Sequence, residues 1–298
     1  MKNIFIIGCG LLGSSLVRVI SKKKIAKKIF IYEKSETHIA KIKKLRLPCT
    51  IVKSLEAGVV NSDLIIFCTP MSEYKKIILR INKFLSPKTL ITDVGSSKTR
   101  SSIVIKKTLK KGINWIQSHP IAGSEVSGPE HGKDNIFVNK WCVLIKGKKT
   151  NLKQLRFLSS FWKKVGSNIV IMSPDQHDKI FSMTSHLPHL IAYNLVRSAQ
   201  DFEKTLRFDL IKYSAGGLRD FSRIAASNEI MWRDIFFDNK VNVIKAIDIF
   251  IKNLNAFKKD INSRNNKSIL KKLILTKKVR YKILKLKQDT NKPDFGRS

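Results

Sequence analysis

Three glycines near the start of the chain limit its fold more than any other feature. Gly8, Gly10 and Gly13 stand in the run Gly8-Cys9-Gly10-Leu11-Leu12-Gly13, directly after the apolar segment Asn3–Ile7 and before a helix-like stretch. Strand, glycine turn and helix in that order open a parallel α/β sheet that binds a dinucleotide. The first glycine permits the tight turn. The second lets a pyrophosphate approach the backbone, and the third lets the helix pack closely on the strand. The helix start, at Leu11 and Leu12, offers unpaired N–H groups and a favourable dipole to phosphates. Met1-Lys2 and the apolar run to Val17 also have the outline of a short signal peptide, but the glycine spacing accounts for the same residues better.

The segments that follow keep the same rhythm. Short runs rich in Ile, Val and Phe occur at Lys28–Tyr32, Thr50–Lys53, Leu64–Cys68 and Leu90–Val94, separated by stretches with helical spacing. That alternation predicts a parallel, doubly wound sheet. Further strands are expected at Trp115–Gln117, Trp141–Ile145 and Asn168–Met172. Glu33 closes the second strand, where a carboxylate accepts from a ribose diol and repels a 2′-phosphate, so NAD is favoured over NADP. The neighbouring Lys34 weakens that preference. Thr69-Pro70 ends the fourth strand and Asp93-Val94-Gly95-Ser96-Ser97-Lys98 ends the fifth. Ligands bind beyond such strand ends, so Thr69 and Pro70 are cofactor candidates. Ser96 is placed to hydrogen-bond a substrate or an imidazole, although a Gly-Ser-Ser run is also an ordinary turn.

The texture changes at Ser173-Pro174-Asp175-Gln176, which has the cap, proline and glutamine of a helix start. Beyond it Asp175–Ala199, Phe202–Tyr213, Asn228–Asn262 and Ser268–Lys287 read as helices, followed by a polar tail. Two domains are expected: residues 1–172 binding the dinucleotide, and residues 173–298 all-helical. The last basic helix is read as closing the second domain with its apolar stripe, rather than as a membrane or nucleic-acid arm.

Composition narrows the compartment and the partners. The 298 residues carry a formal charge of +36, dispersed through the chain with no nucleic-acid motif, so no specific nucleic-acid partner is expected. No apolar stretch reaches membrane-span length. Cys9, Cys49, Cys68 and Cys142 are scattered, which argues against a disulfide framework or zinc site and fits a reducing cytoplasm.

The chemistry concentrates in the second third. Ser118-His119-Pro120-Ile121-Ala122-Gly123-Ser124-Glu125 sets a histidine, serines and a carboxylate in a Pro/Gly turn. A poised imidazole beside a redox cofactor suggests proton removal coupled to hydride transfer. His186-Leu187-Pro188-His189 puts two imidazoles three apart beside a proline that would kink the helix. With no third ligand at supporting spacing, a metal is not expected there, and ligand contact or core hydrogen bonding remain. His177 reads equally as structural or functional. Gly216-Gly217-Leu218-Arg219-Asp220-Phe221-Ser222-Arg223 offers either bidentate carboxylate recognition or a surface ion pair.

These pieces in this order resemble the prephenate/arogenate dehydrogenase family of tyrosine biosynthesis. The likeness is carried by Gly8–Gly13, Asp93–Lys98, His119–Glu125, Ser185–His189, and Gly216–Ala225 with Met231-Trp232-Arg233-Asp234. The tail, Gln288-Asp289-Thr290 through Pro293–Arg297, looks like one bacterial branch, the cyclohexadienyl dehydrogenases. The resemblance implies NAD-dependent oxidative decarboxylation of prephenate or arogenate by a homodimer joined through its helical domain. It implies His119 as base for the ring hydroxyl, oriented by Ser96. It implies His186, His189 and Arg223 at the substrate, with Arg223 on a carboxylate and Glu125 and Asp220 in an ionic network with it. Ser97 departs from the apolar residue of many relatives. A different NAD-dependent dehydrogenase, of the 3-hydroxy acid type, remains open and predicts its catalytic Lys or His within the helical domain.

Overall fold

The computed structural model describes residues 2–60 and 62–286. Its first half runs β1 (Asn3–Ile7), α1 (Leu11–Lys22), β2 (Lys28–Tyr32), α2 (Glu36–Lys44), β3 (Thr50–Ile51), α3 (Leu55–Val59), β4 (Leu64–Phe67), α4 (Tyr74–Ile81), β5 (Leu90–Asp93), α5 (Thr99–Thr108) and β6 (Asn114–Trp115). Then come β7 (Ser118–Pro120), β8 (Trp141–Ile145), α6 (Leu152–Val165), β9 (Asn168–Met172) and α7 (Pro174–Phe181). The rest is helical: α8 (Leu187–Leu206), α9 (Gly216–Ala225), α10 (Glu229–Asp238), α11 (Lys240–Asn262) and α12 (Asn266–Lys285).

The apolar runs become a six-stranded parallel sheet in the order β3-β2-β1-β4-β5-β6. Every residue of β4 and β5 is buried, as is Ile4–Ile7 of β1. Helices on both faces demand such continuous apolar strands. The strand order reverses between β1 and β4, so the crevice that accepts a dinucleotide opens beyond Gly8 and Thr69.

The remaining strands form a second sheet, β7-β8-β9, rather than extending the first. Only Ile116 and Gln117 separate β6 from β7, and a parallel neighbour would need a crossover of about a dozen residues. β7 instead pairs antiparallel with β8, placing His119 opposite Val143. β8 and β9 are parallel, joined through α6.

The helix expected over Asp175–Ala199 is interrupted. α7 begins with the anticipated capping box of Ser173 and Gln176, then Ser182–His186 widens into a π-helical turn. Pro188 has no N–H to give the carbonyl four residues back, and its ring crowds that turn, so the ladder loosens just before it. α8 then continues to Leu206, taking in the first part of the helix expected over Phe202–Tyr213; Arg207 adopts φ +52°, and the rest of that stretch keeps only a 3₁₀ turn at Ile211–Tyr213. The stretch expected as one helix to Asn262 breaks at Asn239, a residue buried by the bonds of its side chain.

Two compact units result. The first comprises residues 1–186 and 226–240, so α7, the π turn and α10 pack with the sheets rather than with the helical unit. The second comprises residues 187–225 and 241 onward. Its last helix buries none of its residues: Leu270, Leu273, Ile274, Leu275, Val279 and Ile283 stay exposed. The stripe expected to close the domain is therefore uncovered among the described residues. The expected tail from Gln288 lies outside the described residues.

Candidate active site

The dinucleotide cradle is built from β1, its glycine turn and the end of β4. Gly8 adopts φ +91°, and a Cβ there would lie 2.8 Å from the Cys68 carbonyl oxygen. A Cβ on Gly13 would lie 2.2 Å from the Gly8 carbonyl oxygen, so the helix can approach the turn only without a side chain. Gly10 differs, because a Cβ there would meet nothing within 4 Å. The protein does not need that glycine for its own packing, and a close-approaching phosphate does. Gly10 also caps α1 without any side-chain bond, leaving the amides near Leu11 and Leu12 to an anion. Beside the turn, the Thr69 hydroxyl is buried with no protein partner. An open glycine, an uncapped helix start and an orphaned hydroxyl together fit a bound dinucleotide.

Glu33 stands where the sequence places it, at the end of β2, and it also shapes the turn. Its Oε2 accepts from the Cys9 N–H at 2.7 Å, and its Oε1 accepts from the Lys34 and Ser35 N–H groups. Pro70 is exposed at the end of β4.

His119 is buried in β7, and the strand is pinned to the end of β5. Ser118 Oγ donates to the Asp93 carbonyl oxygen at 2.5 Å and lies 3.0 Å from Thr92 Oγ1. Lys98 Nζ donates to the Ser118 carbonyl oxygen at 2.8 Å and to Asp93 Oδ2 at 2.6 Å. Both charged groups of that pair are wholly buried. Tyr74 Oη, Gly95 N–H and Trp115 Nε1 supply further donors to the Asp93 carboxylate. A buried pair must be this fully bonded to offset the loss of water.

The imidazole of His119 meets a neighbour that the sequence reading left undecided. His119 Nδ1 lies 2.8 Å from His177 Nε2, and His177 Nδ1 lies 2.8 Å from Asp178 Oδ1. Asp178 in turn accepts the backbone N–H groups of Lys98 and Thr99, each at 2.8 Å. The Phe181 ring packs against both imidazoles, at 5.0 Å from His119 and 4.5 Å from His177. Burial pushes the His119 pKa well below the ordinary imidazole range, and His177, Lys98 and His186 push it further. Burial also lowers that of His177, against the opposing pull of Asp178. Burial raises the Asp178 carboxyl, but hydrogen bonds from His177 and Thr99 outweigh it and leave it lowered.

Ser96 is half-buried at the turn after β5 and makes no hydrogen bond to His119, whose Nδ1 is occupied by His177. The orienting partner of the imidazole in this structure is therefore His177, not Ser96. Ser97, the odd residue of the turn, is buried against Met71. His186 is wholly buried in the π turn with its Nδ1 3.1 Å from Asn239 Nδ2, so it presents no surface to a substrate here. Asn239 Nδ2 also donates to the Asp178 carbonyl oxygen, which ties the π turn to the His177–Asp178 pair. Glu125 is half-buried in the loop after β7. His189 lies on α8, and Asp220 and Arg223 on α9; these two helices pack together within the second unit. Among the described residues no group of His, Cys, Asp and Glu could hold a metal ion.

His177, Asp178, Lys98 and Asp93 carried the weakest sequence signals relative to their part in the site. A lysine five residues after a strand-ending aspartate, and a His-Asp pair in the first turns of a capped helix, were the available signs.

A doubly wound sheet, a phosphate-ready glycine turn and a neutral buried imidazole define a nicotinamide-dinucleotide-dependent dehydrogenase. A family model described as the nucleotide-binding domain of prephenate dehydrogenase matches residues 16–171, and one described as its dimerization domain matches residues 173–275. The cyclohexadienyl dehydrogenase of Zymomonas mobilis is 31% identical over 288 residues, 97% of each chain. The prephenate dehydrogenase of Bacillus subtilis is 30% identical, over 91% of this chain and 73% of its own. The crystal structure of prephenate dehydrogenase from Aquifex aeolicus, in complex with hydroxyphenyl propionate and NAD+, superposes with a TM-score of 0.88. It is 35% identical in sequence and covers 95% of this chain and 98% of its own. The chain belongs to the prephenate dehydrogenase family, and it is an NAD-dependent oxidoreductase.

Proposed function

We propose that this chain oxidatively decarboxylates a cyclohexadienol of the prephenate or arogenate type in tyrosine biosynthesis, with His119 as the base. The observation that carries this reading is the neutral, buried His119, one ring nitrogen held by His177 and the other left to meet a ligand. The glycine turn, the start of α1 and Thr69 would hold NAD, with Glu33 at its ribose. Held there, NAD would supply the hydride acceptor for the carbinol carbon. His119 takes the hydroxyl proton, and Ser96, half-buried in the turn after β5, is assigned to the same hydroxyl. The ring ketone is vinylogous to the ring carboxylate, so the C–C bond to CO2 breaks and the ring becomes aromatic. His189 and Arg223 bind the substrate, Arg223 through a carboxylate, with Glu125 and Asp220 in its ionic surroundings. Membership of the family sets aside the 3-hydroxy acid dehydrogenase reading.

The test is NADH formation on adding prephenate and, separately, arogenate. At least one is expected to reduce NAD, and no NADH with either would overturn the reading.

Discrimination against NADP follows from Glu33. NAD is expected to give the higher kcat/KM, and Glu33→Gln to narrow the gap by removing repulsion of the 2′-phosphate. The variant should also bind NAD less well, since the Cys9 N–H loses a charged acceptor. Equal efficiency with NADP in the unaltered enzyme would count against the role given to Glu33.

The assembly proposed is a homodimer. The uncovered apolar faces of α11 and α12, with Ile244, Ile251, Leu254, Leu273 and Ile274 exposed, suit a second copy. They lie in, or continue from, the segment matched by the dimerization-domain model. Four free thiols suit a cytoplasmic setting. No described helix is long and apolar enough to cross a membrane.

A further inference from the structure

We infer that Asp178 and His177 are positioning residues that fix the tautomer of His119, leaving the basic lone pair on its Nε2. The inference rests on His119 being the base of the proposed reaction, and it assigns a task to two residues outside that reading.

The Lys98 and Thr99 backbone N–H groups are permanent donors, and both point at the Asp178 carboxylate. An ionised carboxylate only accepts, so the third bond at Asp178 Oδ1 must be donated by His177 Nδ1. Burial keeps His177 neutral, which leaves its Nε2 with a lone pair and no hydrogen. That lone pair faces His119 Nδ1 at 2.8 Å, so the hydrogen between them belongs to His119. A neutral imidazole carries one N–H. With it on Nδ1, the Nε2 of His119 is a proton acceptor.

The surroundings allow little alternative. Phe181 packs on both rings, which hinders a flip of either imidazole. Lys98 from the turn before α5, His177 from α7 and His186 from the π turn all face His119 and all disfavour a second proton on it. Asn239 fixes the Asp178 backbone from the far side. The α5 start, the α7 start and the α10–α11 break thus converge on one hydrogen-bonded line ending at the base.

The experiment uses the full-length enzyme carrying isotopically labelled histidine. His119→Asn identifies the His119 ring signals by their loss. Nitrogen–proton correlation spectra then report the tautomer, and steady-state kinetics report kcat and KM. In the unaltered enzyme the His119 hydrogen is expected on Nδ1. Asp178→Asn offers an amide donor in place of a carboxylate oxygen, so the line reverses and Nε2 of His119 gains the hydrogen. Its kcat should fall by roughly 10–10²-fold, the usual scale for removing an outer orienting partner, with KM for NAD nearly unchanged. His177→Gln retains an oxygen acceptor for His119 Nδ1–H and should keep the tautomer and more kcat than His177→Leu. If Asp178→Asn fails to fold because α5 loses its cap, the His177 pair decides the matter. A hydrogen on His119 Nε2 in the unaltered enzyme would overturn the inference, as would equal kcat in His177→Gln and His177→Leu. An enzyme inactive on both substrates but showing the expected tautomer would sink the functional reading and support this one.

Discussion

Replacing His119 with asparagine is expected to lower turnover by about 10²–10⁴-fold, the range a general base contributes. The cradle at Gly8–Gly13 is built from β1, α1 and the β4 end, none of which His119 supports, so the dissociation constant for NAD should hardly change. Asparagine keeps a polar group near His177 while removing the basic nitrogen, so folding should survive. The pH profile gives an independent check. Burial and the neighbouring His177 and Lys98 hold the His119 pKa below the usual value of 6.5, so the base form persists into mild acid. Activity is therefore lost only as pH falls through that lowered value. The acid limb of kcat/KM in the unaltered enzyme should lie below 6.5 and be absent from the residual rate of His119→Asn. Wild-type turnover in the variant, or an acid limb above the ordinary imidazole range, would remove His119 from the mechanism.

The N-terminal half was legible in the sequence because its physics is local. A strand covered on both faces must be an unbroken apolar run, and β1, β4 and β5 are such runs. The glycine turn was equally readable, since Gly8 and Gly13 are required by backbone approaches within one strand–turn–helix unit. The second sheet was not readable as separate, because each of its strands resembles those of the first. What distinguishes it is the two-residue step between β6 and β7, too short for a parallel return.

The site divides along the same line. His119 stood out through its Pro/Gly turn. Its orienting partner did not, because His177 is 58 positions away in the chain and only the tertiary fold brings the rings together. The Lys98–Asp93 pair shows the limit of reading charge from sequence, where any one lysine among so many is taken as solvated. Burial turned this one into the post that ties β7 to β5. Pro188 announced a kink in the helix, but the π turn that Asn239 reaches into followed from packing. The exposed stripe of α12 was visible as a stripe, and periodicity alone carried no information on what would cover it.

The proposed carboxylate anchor, Arg223, lies on α9 in the second unit. Arg223→Ala is expected to raise KM for prephenate or arogenate by on the order of 10²-fold or more, since a charge-assisted, bidentate partner of a carboxylate is lost. KM for NAD should move little, because the dinucleotide cradle lies in the first unit. Arg223→Lys should recover only part of the affinity, as a point charge cannot reproduce the planar fork of a guanidinium. Arg219 is the control within the same helix. It stands one turn earlier on α9 and, like Arg223, is exposed. As a surface charge, its removal should change KM by no more than about fivefold. If Arg219→Ala proves the more damaging of the two, the carboxylate is held one turn earlier on the helix than the Arg-Asp-Phe-Ser-Arg run suggests, and Asp220 is then better read as a neighbour of Arg219.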